Sequence, residues 1–322
     1  MLLIQPDRWH KMAQPEPLSI NISAARACFV RCDGCYNHFG KAPEVRTDTI
    51  LEFLALGHRA GIKNVTLCGG DPLARRDIIH LITEIKALGF RVSLDTVGTA
   101  LLGAAQTMFF GRHHVAKVEP DSLARLVDLI GIPLDGPDNE TVALFRIGRV
   151  NLFDQLIDTL EILTSAKAAI CINTVVHRFN LYELTELVAT ITRFPSIVKW
   201  QLFQFSPIGP LGYHNRQKFR ITTEEFVAAV STARGSAISG GFPGVIEEKT
   251  SSRRKYQYLL VDTDGAAWMP RQSSSEEWDE LADATDQRIV LGNINNRGDH
   301  ERILQVVLSK KIISDRLQHH KK

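Results

Sequence analysis

The sequence has no long apolar run and almost no excess charge of either sign. No stretch reaches the roughly 18 consecutive apolar residues expected of a helix that crosses a membrane. Polar and charged residues interrupt the first 14 positions, so we expect no secretory signal. The net charge of +2 offers no broad electrostatic face for nucleic acid or a membrane surface. We therefore expect a cytoplasmic protein with neither of these as a partner.

Cysteine is scarce, and it is absent after residue 235. The five cysteines are an odd number, and without a secretory signal they indicate a reducing compartment in which thiols stay free. We found no solenoid-type repeat. A chain of 322 residues with 44% hydrophobic content is long enough for one α/β-barrel-sized domain plus an extension.

Three of the five cysteines lie in one short loop that follows an apolar strand. Cys28, Cys32 and Cys35 have C-x3-C-x2-C spacing. Three thiolates on one loop can hold three irons of a [4Fe–4S] cube and leave the fourth iron open to a small molecule. Zinc is an alternative, but it would need a fourth ligand such as Cys68 or His38, and a disulfide is another alternative. We assign the three cysteines to one [4Fe–4S] cluster.

The cysteine loop is followed, about thirty residues later, by the turn Cys68-Gly69-Gly70-Asp71-Pro72. Together the two motifs resemble those of the radical S-adenosylmethionine (SAM) enzymes, over roughly residues 18–210. In that family SAM chelates the open iron, so the resemblance implies one cluster and SAM as cofactors. Glycine permits close backbone approach, and the resemblance implies that this turn lines the methionine end of SAM. The residues concerned are Gly69, Gly70, Asp71 and Pro72, with the Asp71 carboxylate accepting from the ammonium.

Short apolar strands alternate with amphipathic helices along most of the chain. Helix starts carry capping signals such as Thr49-Ile50-Leu51-Glu52. The predicted strands are Leu18–Ser23, Asn64–Cys68, Arg91–Thr96, Asp128–Leu134, Ala169–Val176 and Val198–Phe205. Six βα units in series predict a parallel sheet whose functional loops lie at the C-terminal ends of the strands. The predicted fold is α/β, a partial (β/α)6 TIM-type barrel with a C-terminal α+β cap.

The chain changes character after residue 235, and we predict two domains. These are a radical SAM barrel at residues 1–235 and a substrate-covering extension at residues 236–322. A linker is predicted at 240–244, and Asp264-Gly265 signals a hairpin after the predicted strand Tyr256–Thr263. The polar segment Ser273–Asp286 follows. This order resembles the SPASM/twitch extension of peptide-modifying radical SAM enzymes, but without its cysteines.

Further candidate residues lie at the predicted C-terminal strand ends. Arg149 resembles an arginine that pairs with the SAM carboxylate in several branches of the family. Asp135, which ends the fourth predicted strand, is expected to face substrate or SAM. Asn173 is a candidate for the SAM ribose or carboxylate. Thr96 and Pro207 complete the predicted cofactor-binding set.

One position departs from the family pattern. An aromatic residue often precedes the third cysteine and supports the adenine, whereas this chain has Gly34. The role is therefore vacant, or it passes to Tyr36 or to the backbone of residues 205–208.

From Arg146 onward the sequence resembles viperin and its bacterial relatives, which dehydrate nucleoside triphosphates. Matching pieces include Ile147-Gly148-Arg149 and Lys199-Trp200. The triphosphate lysines of that branch are matched here by Cys171 and Gln201, which carry no charge, and a triphosphate needs several cations. We expect an enzyme that cleaves SAM reductively and uses the 5′-deoxyadenosyl radical to abstract hydrogen from a nucleoside, nucleotide or sugar-like substrate. Natural-product biosynthesis, including that of antibiotics, is the expected context.

Several alternatives stay open from the sequence. They are a viperin-type nucleotide dehydratase, a maturase of ribosomal peptides, and a glycyl-radical activase, whose motifs Gly34-Cys35-Tyr36-Asn37 resembles. A non-catalytic iron–sulfur or zinc protein would explain the cysteines but not the glycines. The expected partners are a small-molecule substrate and an electron donor such as flavodoxin or ferredoxin.

Overall fold

The computed structural model describes residues 18–39, 42–250, 258–270 and 288–319. Its strands, in chain order, are β1 (Ser19–Ala25), β2 (Arg31–Cys32), β3 (Asn64–Gly69), β4 (Arg91–Asp95), β5 (Ala105–Gln106), β6 (His114–Val115), β7 (Leu129–Pro133), β8 (Arg146–Ile147), β9 (Ile170–Val176), β10 (Ile197–Gln204), β11 (Val245–Lys249), β12 (Tyr258–Val261), β13 (Ala266–Pro270) and β14 (Arg288–Asn293). Its α-helices are α1 (Thr47–Arg59), α2 (Ile78–Ala87), α3 (Thr99–Leu102), α4 (Pro120–Leu126), α5 (Asn139–Ala143), α6 (Leu152–Ser165), α7 (Leu184–Thr192), α8 (Gly209–His214), α9 (Arg216–Phe219), α10 (Thr223–Ser239) and α11 (Arg297–His319). A 3₁₀ turn spans Pro72–Ala74.

One sheet organises the described chain. Its strand order is β11-β10-β9-β7-β4-β3-β1-β12-β13-β14. Neighbours are parallel from β11 through to β12, and the last two pairings are antiparallel. The six predicted strands are β1, β3, β4, β7, β9 and β10, and they lie side by side in the parallel part. The predicted α/β class with a parallel sheet is confirmed.

Alternation along each strand separates a helix-facing side from an inner side. In β9, Ile170 and Ile172 are fully buried in the main hydrophobic core, whereas Asn173 is only half-buried. In β10, Trp200 and Leu202 are likewise fully buried. Burying one such side chain stabilises the fold by about 1.5–3 kcal/mol, which holds the helices against the sheet. The opposite side, here called the inner face, is left for polar groups.

The seventh strand of the barrel wall, β11, was not predicted. It follows the predicted linker at 240–244, and its sequence Val-Ile-Glu-Glu-Lys lacks an apolar alternation. It pairs in parallel with β10, which places Glu247 opposite Gln201. The predicted domain boundary after residue 235 falls inside α10, and one sheet includes strands from both sides of it. The division into two domains stays a prediction.

The described part of the C-terminal segment extends the sheet. β12 pairs with β1, and Gly265, with φ of +87°, forms the predicted hairpin between β12 and β13. Helix α11 packs on α1, where the rings of Phe53 and His300 are 5.2 Å apart. The polar segment Ser273–Asp286 lies outside the described residues, and the substrate-covering role of the extension stays a prediction. No helix within the described ranges is long and apolar enough to cross a membrane.

The stretch between the third and fourth predicted strands, residues 98–119, contacts the cysteine loop. It contains α3 and the small hairpin of β5 and β6. The turn of this hairpin is hydrogen-bonded to the backbone of Cys28. The Cys28 amide donates to the Phe109 carbonyl at 3.0 Å, and the Met108 amide donates to the Cys28 carbonyl at 2.9 Å. The stretch is thus an added element of one short helix and a hairpin, and its backbone fixes the first cysteine.

Candidate cluster and substrate site

The three loop cysteines lie together just beyond the C-terminal end of β1. β2 pairs with β8, which places Cys32 opposite Arg146, and the Cys35 amide donates to the Cys32 carbonyl at 3.1 Å. Burial raises the pKa of all three thiols, and a negative charge on one thiol raises the pKa of a neighbour further. Three sulfurs therefore share one buried site.

Each of these thiols also has a hydrogen-bond donor. The backbone amide of Val30 donates to the Cys28 thiol, and the backbone amide and side chain of Asn37 donate to the Cys35 thiol. Arg146 Nη1 lies 3.0 Å from Cys32 Sγ. Such donors stabilise the thiolate, which is the form that binds metal. The donor set of three neighbouring, hydrogen-bonded sulfurs fits a thiolate-held [4Fe–4S] cluster.

The two candidates for a fourth zinc ligand make other contacts. The His38 ring meets Trp268 edge-on, with ring centroids 5.7 Å apart, and burial lowers its pKa to about 4. The buried Cys68 thiol interacts with the Tyr36 hydroxyl and with Ser23. Across the described ranges, no group of three or more His, Cys, Asp or Glu side chains is arranged to hold a single metal ion.

The two glycines after β3 dock the turn against the cysteine loop. A Cβ at Gly70 would lie 2.2 Å from the Arg26 carbonyl oxygen and 2.3 Å from that of Ala27. Gly69 has φ of +122°, and its carbonyl accepts from Asn37 Nδ2 at 2.5 Å. The glycines therefore permit a close approach of this turn to the backbone of the cysteine loop. Contact of this turn with SAM stays a prediction.

The Asp71 carboxylate is buried and already hydrogen-bonded. It accepts from the amides of Leu73 and Val97 at 3.0 and 2.9 Å, and from the Thr96 hydroxyl at 2.8 Å. Burial raises its pKa to about 6, and these hydrogen bonds oppose that rise. Asp71 and Thr96, predicted separately as cofactor-binding residues, thus bind each other and tie the ends of β3 and β4 together. Pro72 begins the short turn that follows.

Asp135 is buried against Arg146. Its side chain is fully buried, with Oδ2 2.6 Å from Arg146 Nε and Oδ1 accepting from the Val175 amide at 2.8 Å. It therefore faces Arg146, and its contact with substrate or SAM stays a prediction. Arg146 was not predicted as a site residue, because only the pairing of the two-residue strands β2 and β8 brings it to Cys32.

Arg149 lies at the edge of the cysteine loop. Its Nε is 3.3 Å from the Phe29 carbonyl and its Nη1 is 3.1 Å from Gln155 Oε1. Burial lowers its pKa, and the neighbouring Cys28 opposes that shift. The position suits a cation that meets a carboxylate beside the cluster, and pairing with SAM stays a prediction.

Aromatic rings already fill the space beside Gly34. A Cβ at this position would lie 2.5 Å from a Phe145 ring carbon and 2.6 Å from a Phe205 ring carbon. Phe145, Phe205 and Phe219 form a small separate core. An aromatic side chain at residue 34 cannot fit without displacing them, which explains the departure from the family pattern. Pro207 follows this core, in the segment whose Gly212 amide donates to the Cys35 carbonyl.

A polar contact spans the inner face at mid-sheet. Asn173 Nδ2 donates to Asp95 Oδ1 at 3.0 Å, across the intervening strand β7. Gly131 makes this possible, since a Cβ there would lie 2.0 Å from Asp95 Oδ1. Burial raises the pKa of Asp95 to about 6, and the Asn173 hydrogen bond opposes this. Asp95 was missed, although its place at the C-terminal end of a predicted strand is the signal that could have identified it.

A second polar group continues across β9, β10 and β11. The Cys171 thiol lies 3.5 Å from Gln201 Oε1, and Gln201 Nε2 donates to Glu247 Oε2 at 2.5 Å. The Glu247 carboxylate also pairs with Lys199 at 3.3 Å and with Lys249 at 3.4 Å. The two lysines of this polar group, Lys199 and Lys249, thus share the Glu247 carboxylate. Lys249 and Glu247 were missed because β11 itself was not predicted.

Comparison with known proteins identifies the family. The family model of the radical SAM superfamily matches residues 22–191, more than half of the chain. The protein belongs to the radical SAM superfamily. It is therefore an enzyme of a family that uses a [4Fe–4S] cluster and SAM, and the predictions of family and cofactors are confirmed.

Individual relatives match at lower identity. The chain is 25% identical over 266 residues to an S-adenosylmethionine-dependent nucleotide dehydratase of Lacinutrix mariniflava, covering 77% of this chain and 49% of that protein. It is 36% identical over 78 residues to 7-carboxy-7-deazaguanine synthase of Rhodopirellula baltica, covering 24% of this chain and 30% of that protein. The chain thus spans about half or less of the length of these curated relatives.

Solved structures agree on the fold. The structure of anSMEcpe with bound AdoMet and Kp18Cys peptide has a TM-score of 0.61 at 16% identity, covering 88% of this chain and 80% of that chain. At this identity the likeness shows the fold alone. It supports the α/β fold with a parallel sheet described above.

Proposed function

We propose that this radical SAM enzyme acts on a nucleoside, a nucleotide or a sugar-like molecule that carries less negative charge than a nucleoside triphosphate. The substrate would lie on the inner face of the sheet, beside the cysteine loop. The observation that carries the proposal is the pairing of Lys199, Gln201 and Lys249 with the single carboxylate of Glu247.

The charges on this face argue against a triphosphate. A triphosphate needs several cations that are not already neutralised by the protein. Here each of the two lysines is within 3.4 Å of Glu247, and Asp95 adds a second carboxylate across the sheet. A polyphosphate on this face would meet those carboxylates as well as the lysines. Hydroxyl and amide groups of a sugar or a base suit the same side chains as hydrogen-bond partners.

The side chains on this face can orient a polar molecule. Asp95 accepts hydrogen bonds, whereas the Asn173 and Gln201 amides both donate and accept. Their mutual contacts fix their orientation before any ligand arrives, which reduces the entropy cost of binding. When bound, the cluster and SAM supply a radical that removes hydrogen from an unactivated carbon. The protein's own contribution is to place that carbon and to exclude water.

A nucleotide dehydratase is the second candidate. It is favoured by the 25% identity over 77% of this chain to the dehydratase of Lacinutrix mariniflava. Our proposal differs from it in the charge of the substrate and leaves the product class open.

Other parts of the proposal rest on composition. None of the five cysteines forms a disulfide bond, which supports a reducing, cytoplasmic location. An electron donor of the flavodoxin or ferredoxin type is the proposed protein partner, with no nucleic acid or membrane partner. We place the enzyme in natural-product biosynthesis.

The test is release of 5′-deoxyadenosine by the anaerobically reconstituted enzyme with dithionite. Nucleoside triphosphates, monophosphates, nucleosides, sugar nucleotides and ribosomal peptides are compared at equal concentration. We expect stimulation by members of the low-charge group. Turnover of cytidine triphosphate to a dehydrated product would refute the proposal, and turnover with a peptide alone would indicate a maturase.

A variant with added positive charge tests the role of the inner face directly. Cys171→Lys combined with Gln201→Lys adds two cations to the inner face, and it is expected to increase triphosphate binding at least tenfold, or about 1.4 kcal/mol. Val198→Lys combined with Val227→Lys is the matched control, because it also adds two charges, both at exposed positions. Equal gains in both variants would show that overall charge, and not the inner face, decides triphosphate binding.

A further inference from the structure

Arg146 connects a cluster cysteine to a buried carboxylate. Its Nη1 is 3.0 Å from Cys32 Sγ, and its Nε is 2.6 Å from Asp135 Oδ2. Arg146 is 9% exposed and Asp135 is fully buried. Two nitrogens of one rigid guanidinium therefore bridge a thiol and a carboxylate that the chain separates by about a hundred residues.

The carboxylate is held in place from its other side. Asp135 Oδ1 accepts from the Val175 amide at 2.8 Å, and the Asp135 carbonyl accepts from Asn180 Nδ2 at 2.7 Å. The guanidinium also lies 5.8 Å from the centre of the Phe145 ring. With these contacts, Arg146 has a defined direction toward the sulfur instead of a mobile surface position.

A guanidinium charge beside a ligand sulfur affects the reduction of the cluster. Reduction adds one negative charge to a thiolate-bound cluster, and hydrogen bonds to the sulfurs and nearby charges set its potential. A positive charge in contact with a ligand sulfur stabilises the more negative, reduced state more than the oxidised state. The Asp135 carboxylate opposes this effect, but it lies on the far side of the guanidinium from the sulfur. The nearer charge has the larger influence.

We propose that Arg146 is a positioning residue that raises the reduction potential of the cluster held by Cys32, and that Asp135 fixes its orientation. The proposal rests on the family's cluster and is independent of the proposed substrate. It assigns a role in electron uptake to Arg146, which the sequence did not identify as a site residue, and a different role from the predicted one to Asp135.

The test is an EPR-monitored redox titration of the reconstituted protein without SAM or substrate. Arg146→Gln removes the charge but retains a donor, and we expect one-electron reduction to become about tenfold less favourable, a shift of about 59 mV to lower potential. Arg146→Lys retains the charge, and its midpoint is expected to lie closer to the wild type than to Arg146→Gln. Arg31→Gln is the matched control, since Arg31 lies on the same loop but its side chain is 42% exposed and pairs with Asp33.

Two outcomes would overturn the proposal. The first is an unchanged midpoint in Arg146→Gln with the cluster intact, and the second is an equal shift in Arg31→Gln. If Arg146→Gln does not assemble a cluster, a comparison of Asp135→Asn with Asp135→Ala decides the question. Both variants remove the negative charge, but only Asp135→Ala also removes the acceptor that orients Arg146. We expect the midpoint of Asp135→Ala to lie below that of Asp135→Asn, and equal midpoints would contradict the proposal. Because no substrate is present, failure here is separate from failure of the substrate proposal.

Discussion

Replacing Gly70 with alanine should separate the glycine turn from the cysteine loop. The added Cβ would lie 2.2 and 2.3 Å from the carbonyl oxygens of Arg26 and Ala27. Both of these atoms belong to the backbone, so no side-chain rotation can relieve the contact. The loop or the turn must move.

The expected cost follows from the hydrogen bonds that hold the two segments together. The Gly70 amide donates to the Ala25 carbonyl at 2.7 Å, and the Asp71 amide donates to the Ala27 carbonyl at 2.9 Å. Each is worth about 0.5–1.5 kcal/mol, and a buried group left unpaired costs about 1–3 kcal/mol. We therefore expect Gly70→Ala to reduce the free energy of unfolding by about 2–4 kcal/mol. The cluster should also be retained less well, because the displaced backbone leads directly into Cys28.

Anaerobic thermal unfolding and iron content of the reconstituted protein measure these two effects. Gly103→Ala is the matched control, since a Cβ at Gly103 meets no atom within 4 Å and the backbone there is extended, with φ of 174°. It should behave as the wild type. Normal stability and normal iron content in Gly70→Ala would refute the docking role, and would leave the approach of SAM as the reason for the glycine.

Two further predictions concern charge. Arg149→Ala should leave the cluster absorbance intact and weaken SAM binding about ten- to a hundredfold, as expected for loss of a charged hydrogen bond of about 1.5–3 kcal/mol. Isothermal titration with SAM measures the affinity. An unchanged affinity would show that the SAM carboxylate does not bind Arg149. Burial lowers the pKa of His177 to about 3, below its unfolded value of 6.5, so the folded state favours the neutral ring. Its stabilising contribution is therefore present above pH 6.5 and decreases as the pH falls toward 3. In urea titrations, wild type should lose about 2 kcal/mol more than His177→Phe between pH 6.5 and 5, and equal losses would contradict the shift.

The strands of the barrel were predictable because their apolar residues are explicit in the sequence. Ile170, Ile172, Trp200 and Leu202 must be buried wherever their strands lie, and the six predicted strands are all present. β11 was missed for the opposite reason. Its Glu247 and Lys249 look like solvent-exposed charges, and only the neighbouring strand β10 makes them part of an inner wall.

The candidate site shows the same limit. The three cysteines were identifiable by spacing alone, whereas the link from Arg146 to Cys32 depends on a two-residue pairing between segments far apart in the chain. Gly34 could be recognised as unusual, but the rings of Phe145 and Phe205 that require it are a tertiary feature. Spacing identifies groups that act within one loop. It does not identify partners that the fold brings to that loop.

The most direct test of the account is the iron content of anaerobically reconstituted protein. We assign one cluster to Cys28, Cys32 and Cys35, so we predict about four irons per chain, lost in the triple alanine variant. The Cys171→Ala variant, which alters a thiol of the inner wall outside the cysteine loop, should retain them. About eight irons per chain, a single zinc, or iron retained in the triple variant would contradict the central claim.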